Sequence, residues 1–314
     1  MEYLKNQSIG MHKILFTGLD MAEKTSIIRA LKREFSQIIN IEPTKGISRR
    51  IFKFFDKDIS EWDLGGQEKY RISYIKNPNL YFDGTEVAIY VIDILNYARI
   101  PESLSYFKDV IHQFERLKIN PPINVLFHKC DPELLKCKPD EVEGIITTLT
   151  KKIKDIARNN KINFFKTSIY DLYSIMSAVS EILLQLYPKI QVIQRSIEEF
   201  AKKLNCDGLM IIDDNSLILG SYFENQSSKF LLQESIQYFL TLNDCFLNLG
   251  NLNEDDQILV HKLGHHFLFK TIVLKESSRS YHLSIIKAHQ PYDLYFVKKE
   301  LHFFIERFID IINK

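Results

Sequence analysis

From residue 12 to about residue 187 the chain alternates short apolar runs with stretches whose apolar residues recur at helical spacing. That alternation restricts the fold more than any single motif does. Residues 12–17 form an apolar run stopped by Gly18, and residues 25–35 follow with Ile27, Ile28, Leu31 and Phe35 on one helical face. Residues 51–55 and 59–64 read as a strand pair turning at Asp56-Lys57-Asp58. Residues 87–94 are apolar without alternation, as expected of a strand covered on both faces. A helix at 104–117, strands at 124–127 and 163–166, a helix within 140–159 and a last helix at 175–186, ended by Pro188, complete the series. Strands and helices in this order predict an α/β fold with a parallel, doubly wound sheet.

After Pro188 the rhythm changes. A helix at 196–204 precedes strands at 209–212 and 217–223, with Asp213-Asp214-Asn215 as their turn. A long helix at 230–247 stops before Gly250, strands follow at 267–274 and 281–286, and a final helix at 294–312 carries the stripe Phe296, Leu301, Phe304, Ile305, Phe308 and Ile312. This is the order of an α+β layer. With 314 residues the chain has room for two domains, expected at 1–189 and 190–314, and no Gly-, Ser- or Pro-rich linker divides them.

Composition removes several classes. Hydrophobic residues at 45% and charged residues at 26% suit a packed chain rather than a disordered one. A net charge of +1 leaves no basic excess to hold a phosphate backbone by counterion release, so nucleic acid is not an expected partner. The best apolar run, residues 87–95, is interrupted by Asp93 and is too short to span a bilayer. The opening Met-Glu-Tyr-Leu-Lys shows no secretory leader, and Glu2 with the ending Ile-Asn-Lys offers no lipid attachment, so no direct membrane anchor is expected. Cys130, Cys137, Cys206 and Cys245 form no C-x-x-C pair, which fits a reducing cytoplasm and no zinc.

Chemistry concentrates in four loops. The first strand runs into Gly18-Leu19-Asp20-Met21-Ala22-Glu23-Lys24-Thr25-Ser26, the phosphate-binding pattern G-x-x-x-x-G-K-[ST] with Glu23 at the second glycine. Backbone N–H groups of such a loop cradle phosphates at a helix N-terminus, with Lys24 between the terminal phosphates and Thr25 ligating Mg²⁺. An incidental Lys-Thr cap on a strand–turn–helix junction explains the loop in isolation equally well. Glu61-Trp62-Asp63-Leu64-Gly65-Gly66-Gln67 ends a later strand, where Asp63 can hold Mg²⁺ through water, the Gly66 N–H can meet a γ-phosphate and Gln67 can orient an attacking water. A tight Gly-Gly turn is the plainer alternative. His128-Lys129-Cys130-Asp131 follows another strand. A carboxylate at Asp131 accepts from both the ring N–H and the amino group of guanine, a pair adenine does not present, and the Lys129 stem can pack on the base. Finally, Thr167-Ser168-Ile169 places a backbone N–H at Ile169 within reach of the guanine oxygen. All four loops leave the C-terminal ends of strands, where doubly wound sheets bind their ligands. Thr44, within Ile41-Glu42-Pro43-Thr44-Lys45-Gly46-Ile47, is the candidate threonine that closes over Mg²⁺ when a γ-phosphate is present, although a Pro-Thr pair also suits the start of a strand.

At these residues the chain resembles the small GTPases, and among them the Rag/Gtr family. His128 in place of the usual Asn of the guanine motif is typical of Rag proteins, and Phe165-Lys166-Thr167-Ser168-Ile169-Tyr170-Asp171 is similar to their T-S-I-W-D segment. Gln67 in Trp62-Asp63-Leu64-Gly65-Gly66-Gln67 is similar to the RagA-like branch, whereas Gly18-Leu19-Asp20 resembles Arf-like GTPases. The resemblance implies a P-loop GTPase sheet followed by a roadblock- or longin-like domain. It implies binding and hydrolysis of GTP to GDP with Mg²⁺. The implied catalytic residues are Gln67 and Lys24, and the implied nucleotide contacts are residues 20–26 with Thr44, Gly66, His128, Lys129, Asp131, Ser168 and Ile169. Thr25, Thr44 and Asp63 would hold the metal. The resemblance also implies pairing, through the C-terminal domain, with a second Rag-like subunit or another copy of this chain. It adds a roadblock-type scaffold, an activating partner in place of an intrinsic arginine finger and, in eukaryotic relatives, nutrient signalling to the TOR kinase complex from a membrane reached through partner proteins.

Glu23 departs from the pattern. A non-glycine residue in left-handed geometry is disfavoured, and a carboxylate about 6 Å from a phosphate charge costs about 3 kcal/mol at an effective dielectric of about 20, less if the side chain points outward and is solvated. Nucleotide is therefore expected to bind more weakly, or exchange faster, than on an intact loop. The rival expectation is a degenerate, non-hydrolysing scaffold subunit, favoured by Glu23 and opposed by Lys24, Thr25, Gln67 and Asp131. An ATPase is opposed by Asp131. The adjacent His265-His266 should point to opposite faces of a strand and share no metal.

Overall fold

The structure, a computed structural model, describes residues 11–313 apart from 35–37, 39–40, 56, 159, 188–189, 248, 251–255 and 275–278. The chain start, Phe35, the turn residue Asp56 and Pro188 therefore lie outside the described residues. The chain divides into two compact units, Met1–Ala30 with Glu34–Ala178 and Leu31–Arg33 with Val179–Lys314.

The first unit is built on six strands: β1 (Met11–Gly18), β2 (Ile47–Phe54), β3 (Lys57–Leu64), β4 (Thr85–Asp93), β5 (Ile123–His128) and β6 (Ile162–Thr167). Their order in the sheet is β2-β3-β1-β4-β5-β6. Pairs β1/β3, β1/β4, β4/β5 and β5/β6 are parallel, and β2/β3 is antiparallel. The expectation of a parallel sheet is thus corrected at one edge. Only two residues separate β2 from β3, and a parallel pair would need a crossover of a dozen or more. The interior strands β4 and β5 are buried almost end to end, in keeping with helices on both faces.

The helices of this unit are α1 (Lys24–Leu31), α2 (Glu68–Lys76), α3 (Pro78–Tyr81), α4 (Ile100–Leu117), α5 (Pro132–Cys137), α6 (Pro139–Ile156) and the part of α7 (Leu172–Leu184) up to Ala178. The first is shorter than the predicted 25–35, because a turn at Lys32-Arg33, with Arg33 at φ 58°, ends it. Helix α4 buries Tyr106, Phe107, Val110, Ile111 and Phe114, a helical stripe, with Phe107 edge-on to Tyr90 of β4 at 5.0 Å. It stops where Lys118 turns left-handed at φ 57°. On the same face Phe127 of β5 stacks on Phe164 of β6 at 5.6 Å. Helices α2, α3 and α5 had no sequence signal. Among the described residues α2 buries only Arg71 and Tyr74, which leaves no apolar stripe to read.

The second unit has β7 (Gly208–Asp213), β8 (Ile218–Phe223), β9 (Gln257–Lys262), β10 (His265–Leu274) and β11 (Arg279–Ala288), in the order β8-β7-β11-β10-β9 and antiparallel throughout. Its helices are α8 (Ile190–Leu204), α9 (Gln226–Leu247) and α10 (Leu294–Asn313). Successive strand residues face opposite sides, and β11 shows the consequence. Tyr281 meets Phe308 of α10, while His282 stacks on Phe269, which in turn stacks on Phe239 of α9. Helix α10 also packs on α8 through Phe304 and Phe200, stacked at 4.5 Å. One face of the sheet thus carries α8 and α10, and the other α9. Edge strand β9 escaped sequence reading because it is almost wholly exposed and carries no buried stripe. His265 and His266 lie within β10 rather than before it, and His266 stacks at 4.2 Å on His261, its cross-strand partner. Among the described residues no helix is long and apolar enough to cross a membrane.

Candidate functional site

Four connections leave the C-terminal ends of β1, β3, β5 and β6, so one edge of the first sheet carries all four predicted loops. The loop after β1 has Met21 and Glu23 at φ 62° and 63°. Alternation between left- and right-handed residues turns successive N–H groups into one concavity, the geometry of an anion nest. Glycine adopts it freely. Here two side-chain-bearing residues do, each at a cost of about 1–2 kcal/mol. Ala22 and Ser26 are buried beneath the loop, and Met21 is exposed on its rim.

Lys24 is 6% exposed, and its ammonium donates to the carbonyls of Gly18 at 3.1 Å and Leu19 at 2.8 Å. Burial lowers its pKa to about 8, and Asp63 and Asp20 oppose that shift. A buried cation whose hydrogen bonds, among the described residues, go to two carbonyl oxygens in a loop of this kind is suited to an anion.

Thr25, Thr44 and Asp63 converge although they come from α1, the segment before β2 and the end of β3. The Thr25 hydroxyl donates to Asp63 Oδ2 at 2.5 Å, Thr44 approaches the same oxygen at 3.2 Å, and the two hydroxyls are 2.9 Å apart. Asp63 is buried, which raises its pKa, and its Oδ1 has no hydrogen-bond partner. Two hydroxyls and a buried carboxylate with one unused oxygen form a hard, all-oxygen donor set of the kind Mg²⁺ prefers.

Gly66 follows at the end of the β3 loop. A Cβ there would overlap the Leu19–Asp20 peptide, so only glycine allows this backbone to lie against the phosphate loop. Gln67 is the N-cap residue of α2 but makes no capping hydrogen bond with its side chain. Its carbonyl instead accepts the N–H groups of Tyr70 and Arg71.

The β5 and β6 loops meet at Asp131 and Ser168, where the Ser168 hydroxyl donates to Asp131 Oδ1 at 2.5 Å. Asp131 occupies the N-cap position of α5 yet does not cap it, so its carboxylate faces Ser168 rather than its own helix. Ile169 follows half-buried. Fully buried His128 lies 2.9 Å from the Thr167 hydroxyl through Nδ1 and 3.2 Å from Glu23 Oε2 through Nε2. Lys129, at φ 67°, pairs with Asp93 at 2.8 Å and stands 3.8 Å from Glu23. The Lys129 ammonium is thus engaged by carboxylates on both sides. The Glu23 carboxylate likewise faces His128 and Lys129 instead of the hollow that holds the Lys24 ammonium.

Sequence reasoning missed a chain of charges beside these loops. Arg71 donates to the Gly66 carbonyl at 2.8 Å and pairs with Glu102; Glu102 also binds Arg99 at 2.9 Å, and Arg99 binds Asp20 at 2.8 Å. These contacts fasten the Gly66 turn to the phosphate loop through α2, the start of α4 and a 3₁₀ turn at Tyr97–Arg99. The only local signal was Arg71 four residues after Gln67, which carries no meaning before the fold is known.

The family model for the Gtr1/RagA G protein conserved region matches residues 13–242. ADP-ribosylation factor-like protein 3 of Chlamydomonas reinhardtii is 40% identical over 94 residues, covering 30% of this chain and 50% of that protein. Ras-related GTP-binding protein B of Rattus norvegicus is 23% identical over 164 residues, covering 52% of this chain and 42% of that protein. The chain thus spans about half or less of the length of the curated relatives it matches. Among solved structures, the Arl6 BBS3 small GTPase of Trypanosoma brucei with bound nucleotide analogue GppNp aligns at TM-score 0.45 and 16% identity. That alignment covers 56% of this chain and 96% of the other.

Proposed function

This chain belongs to the Gtr1/RagA G protein family, and from that footing we propose that it is a guanine-nucleotide switch that binds GTP and hydrolyses it to GDP and phosphate. The observation that carries the proposal is the convergence on one sheet edge of a buried Lys24, the Thr25–Thr44–Asp63 oxygen cluster and the Asp131–Ser168 pair.

The phosphate end lies on the loop at residues 18–25, where inward N–H groups and the Lys24 ammonium neutralise the β- and γ-phosphates. Thr25 and Thr44, with Asp63 acting through water, would hold Mg²⁺, which when bound supplies charge neutralisation between those phosphates. The Gly66 N–H meets the γ-phosphate, and Gln67, whose side chain is not spent on capping, orients the attacking water. At the other end Asp131 accepts the ring N–H and amino group of guanine, the Ile169 N–H meets its oxygen, and Ser168 fixes the carboxylate. Both of Arg99's carboxylate partners lie in this chain, so rapid turnover calls for an activating partner that brings its own arginine.

The second unit is the pairing domain, of the roadblock/longin kind. Helix α9 exposes Phe230, Tyr238, Leu242 and Phe246 at multiples of four residues, and edge strand β9 exposes Leu259 and Val260. Exposed apolar residues along a helix, together with an open sheet edge, suit a second chain of the same family or another copy. Recruitment to a membrane through a roadblock-type scaffold, and signalling to the TOR kinase complex, extend the proposal from eukaryotic relatives.

Bound nucleotide and particle mass measured on the purified protein test base identity, occupancy and pairing together. Single-turnover GTP hydrolysis, with Gln67→Leu as the control, tests chemistry. Gln67→Leu should bind GTP as the wild type does and hydrolyse it at least about tenfold more slowly. Bound GTP with no hydrolysis in the wild type would instead support the second reading, a non-hydrolysing scaffold subunit, which the left-handed, non-glycine Glu23 favours.

A further inference from the structure

On the reading of this edge as a guanine-nucleotide site, one side chain has no role. Glu23 occupies a position where glycine would be free of strain, yet its carboxylate is not idle. A carboxylate only accepts, so His128 Nε2 carries the proton in the 3.2 Å contact. In the neutral ring Nδ1 is then the acceptor, and the Thr167 hydroxyl donates to it at 2.9 Å. The imidazole is completely buried, so no solvent replaces either partner. Lys129 adds a second, looser contact to the same carboxylate at 3.8 Å.

The line Glu23–His128–Thr167 therefore joins the loops after β1, β5 and β6. It runs beside the clamp that reads the base: Asp131 lies three residues beyond His128, and Ser168 is the next residue after Thr167. Phosphate and base halves are held to each other by side chains as well as by the sheet. We infer that Glu23 is a positioning residue for the nucleotide: its carboxylate fastens the phosphate loop to the guanine-recognition loop, so both halves hold or release the ligand as one body. The two departures from the usual GTPase pattern, Glu23 and His128, are on this view a matched pair.

The test is the rate of GDP release from the full chain, with bound GDP at purification and thermal unfolding as checks on folding. Glu23→Ala and His128→Ala should each speed release about tenfold, as expected when a buried charge-assisted hydrogen bond is lost. The double variant should be no faster than about twice either single one, because both remove the same link. Glu23→Gln retains an acceptor for the imidazole N–H and should stay within about threefold of wild type. Discrimination of GDP over IDP, which lacks the 2-amino group, should narrow in Glu23→Ala and persist in Glu23→Gln. Glu23→Gly relieves the backbone and keeps the experiment readable should the alanine variant misfold; it too should release GDP faster. Slower or unchanged release from Glu23→Gly or Glu23→Ala, or single effects that multiply in the double variant, overturns the inference while leaving the GTPase reading intact. A wild-type protein that holds no guanine nucleotide overturns both.

Discussion

Ser168 and Asp131, 37 residues apart in sequence, are joined by a 2.5 Å hydrogen bond from hydroxyl to carboxylate. The bond crosses from the end of β6 to the end of β5, whose register pairs His128 with Thr167 immediately before it. The carboxylate is consequently aimed by a neighbouring strand and not by the helix it begins. That arrangement leaves Oδ2 and the outer lone pairs of Oδ1 for a ligand, and on the proposed reading base selection depends on how the sheet holds these two loops.

Asp131→Asn should change which base is held. The amide loses one acceptor and gains a donor, so it no longer receives both guanine protons but can donate to the 2-carbonyl of xanthine. GDP affinity should fall by about a hundredfold, the equivalent of about 2.7 kcal/mol for two charge-assisted bonds weakened, while XDP affinity rises. Competition between labelled GDP and XDP measures it, and unchanged guanine preference would remove Asp131 from base recognition.

Thr25→Ala should uncouple nucleotide binding from metal. The wild-type cluster offers two hydroxyls and the unpartnered Asp63 Oδ1, so chelation of Mg²⁺ should speed GDP release at least about tenfold. Without the Thr25 hydroxyl the variant should release GDP quickly in either condition. Equal release with and without chelator in the wild type would show that the cluster holds no metal.

The course of the first unit was legible where an element carries its own local signal. The buried run at β4, the stripe on α4 and the Gly18–Thr25 pattern need no partner to be recognised. The family resemblance rested on loops that strand order brings together, and Asp131 and Ser168 meet as that order implies. Features built from pairs distant in sequence were not legible. Glu23 read as a defect because its partner, His128, lies 105 positions away. Arg71, Glu102 and Arg99 meet only once α2 and α4 are in place, so their pairing has no local signal. Strand β9 and helix α2 were missed for a different reason: neither buries the apolar face that makes periodicity visible.

Gly66→Ala should separate binding from switching. The added Cβ overlaps the Leu19–Asp20 peptide, so the β3 loop must leave the phosphate loop and take Gln67 with it. GDP release should stay within about threefold of wild type, because the change lies at the γ-phosphate end, while single-turnover hydrolysis should fall at least about tenfold. Wild-type hydrolysis in this variant would mean that Gly66 and Gln67 do not meet the γ-phosphate.

Asp213, at the end of β7, should govern the pH dependence of the second unit. Its Oδ1 accepts the backbone N–H groups of Asn215 and Leu217, yet burial outweighs those bonds and pushes its pKa up to about 7 from an ordinary value of 3.8. Between these two values the folded chain binds more protons than the unfolded one, so stability falls as pH rises through this window and stays low above it. Asn at this position keeps the acceptor and cannot ionise. Asp213→Asn should therefore match the wild type near pH 4 and exceed it above pH 7, with the gap in melting temperature opening between. His282, whose pKa burial depresses to about 3, is common to both proteins and cancels from the difference. A variant less stable than wild type at pH 8 would mean that the Asp213 carboxylate is held in its charged form by the turn it closes.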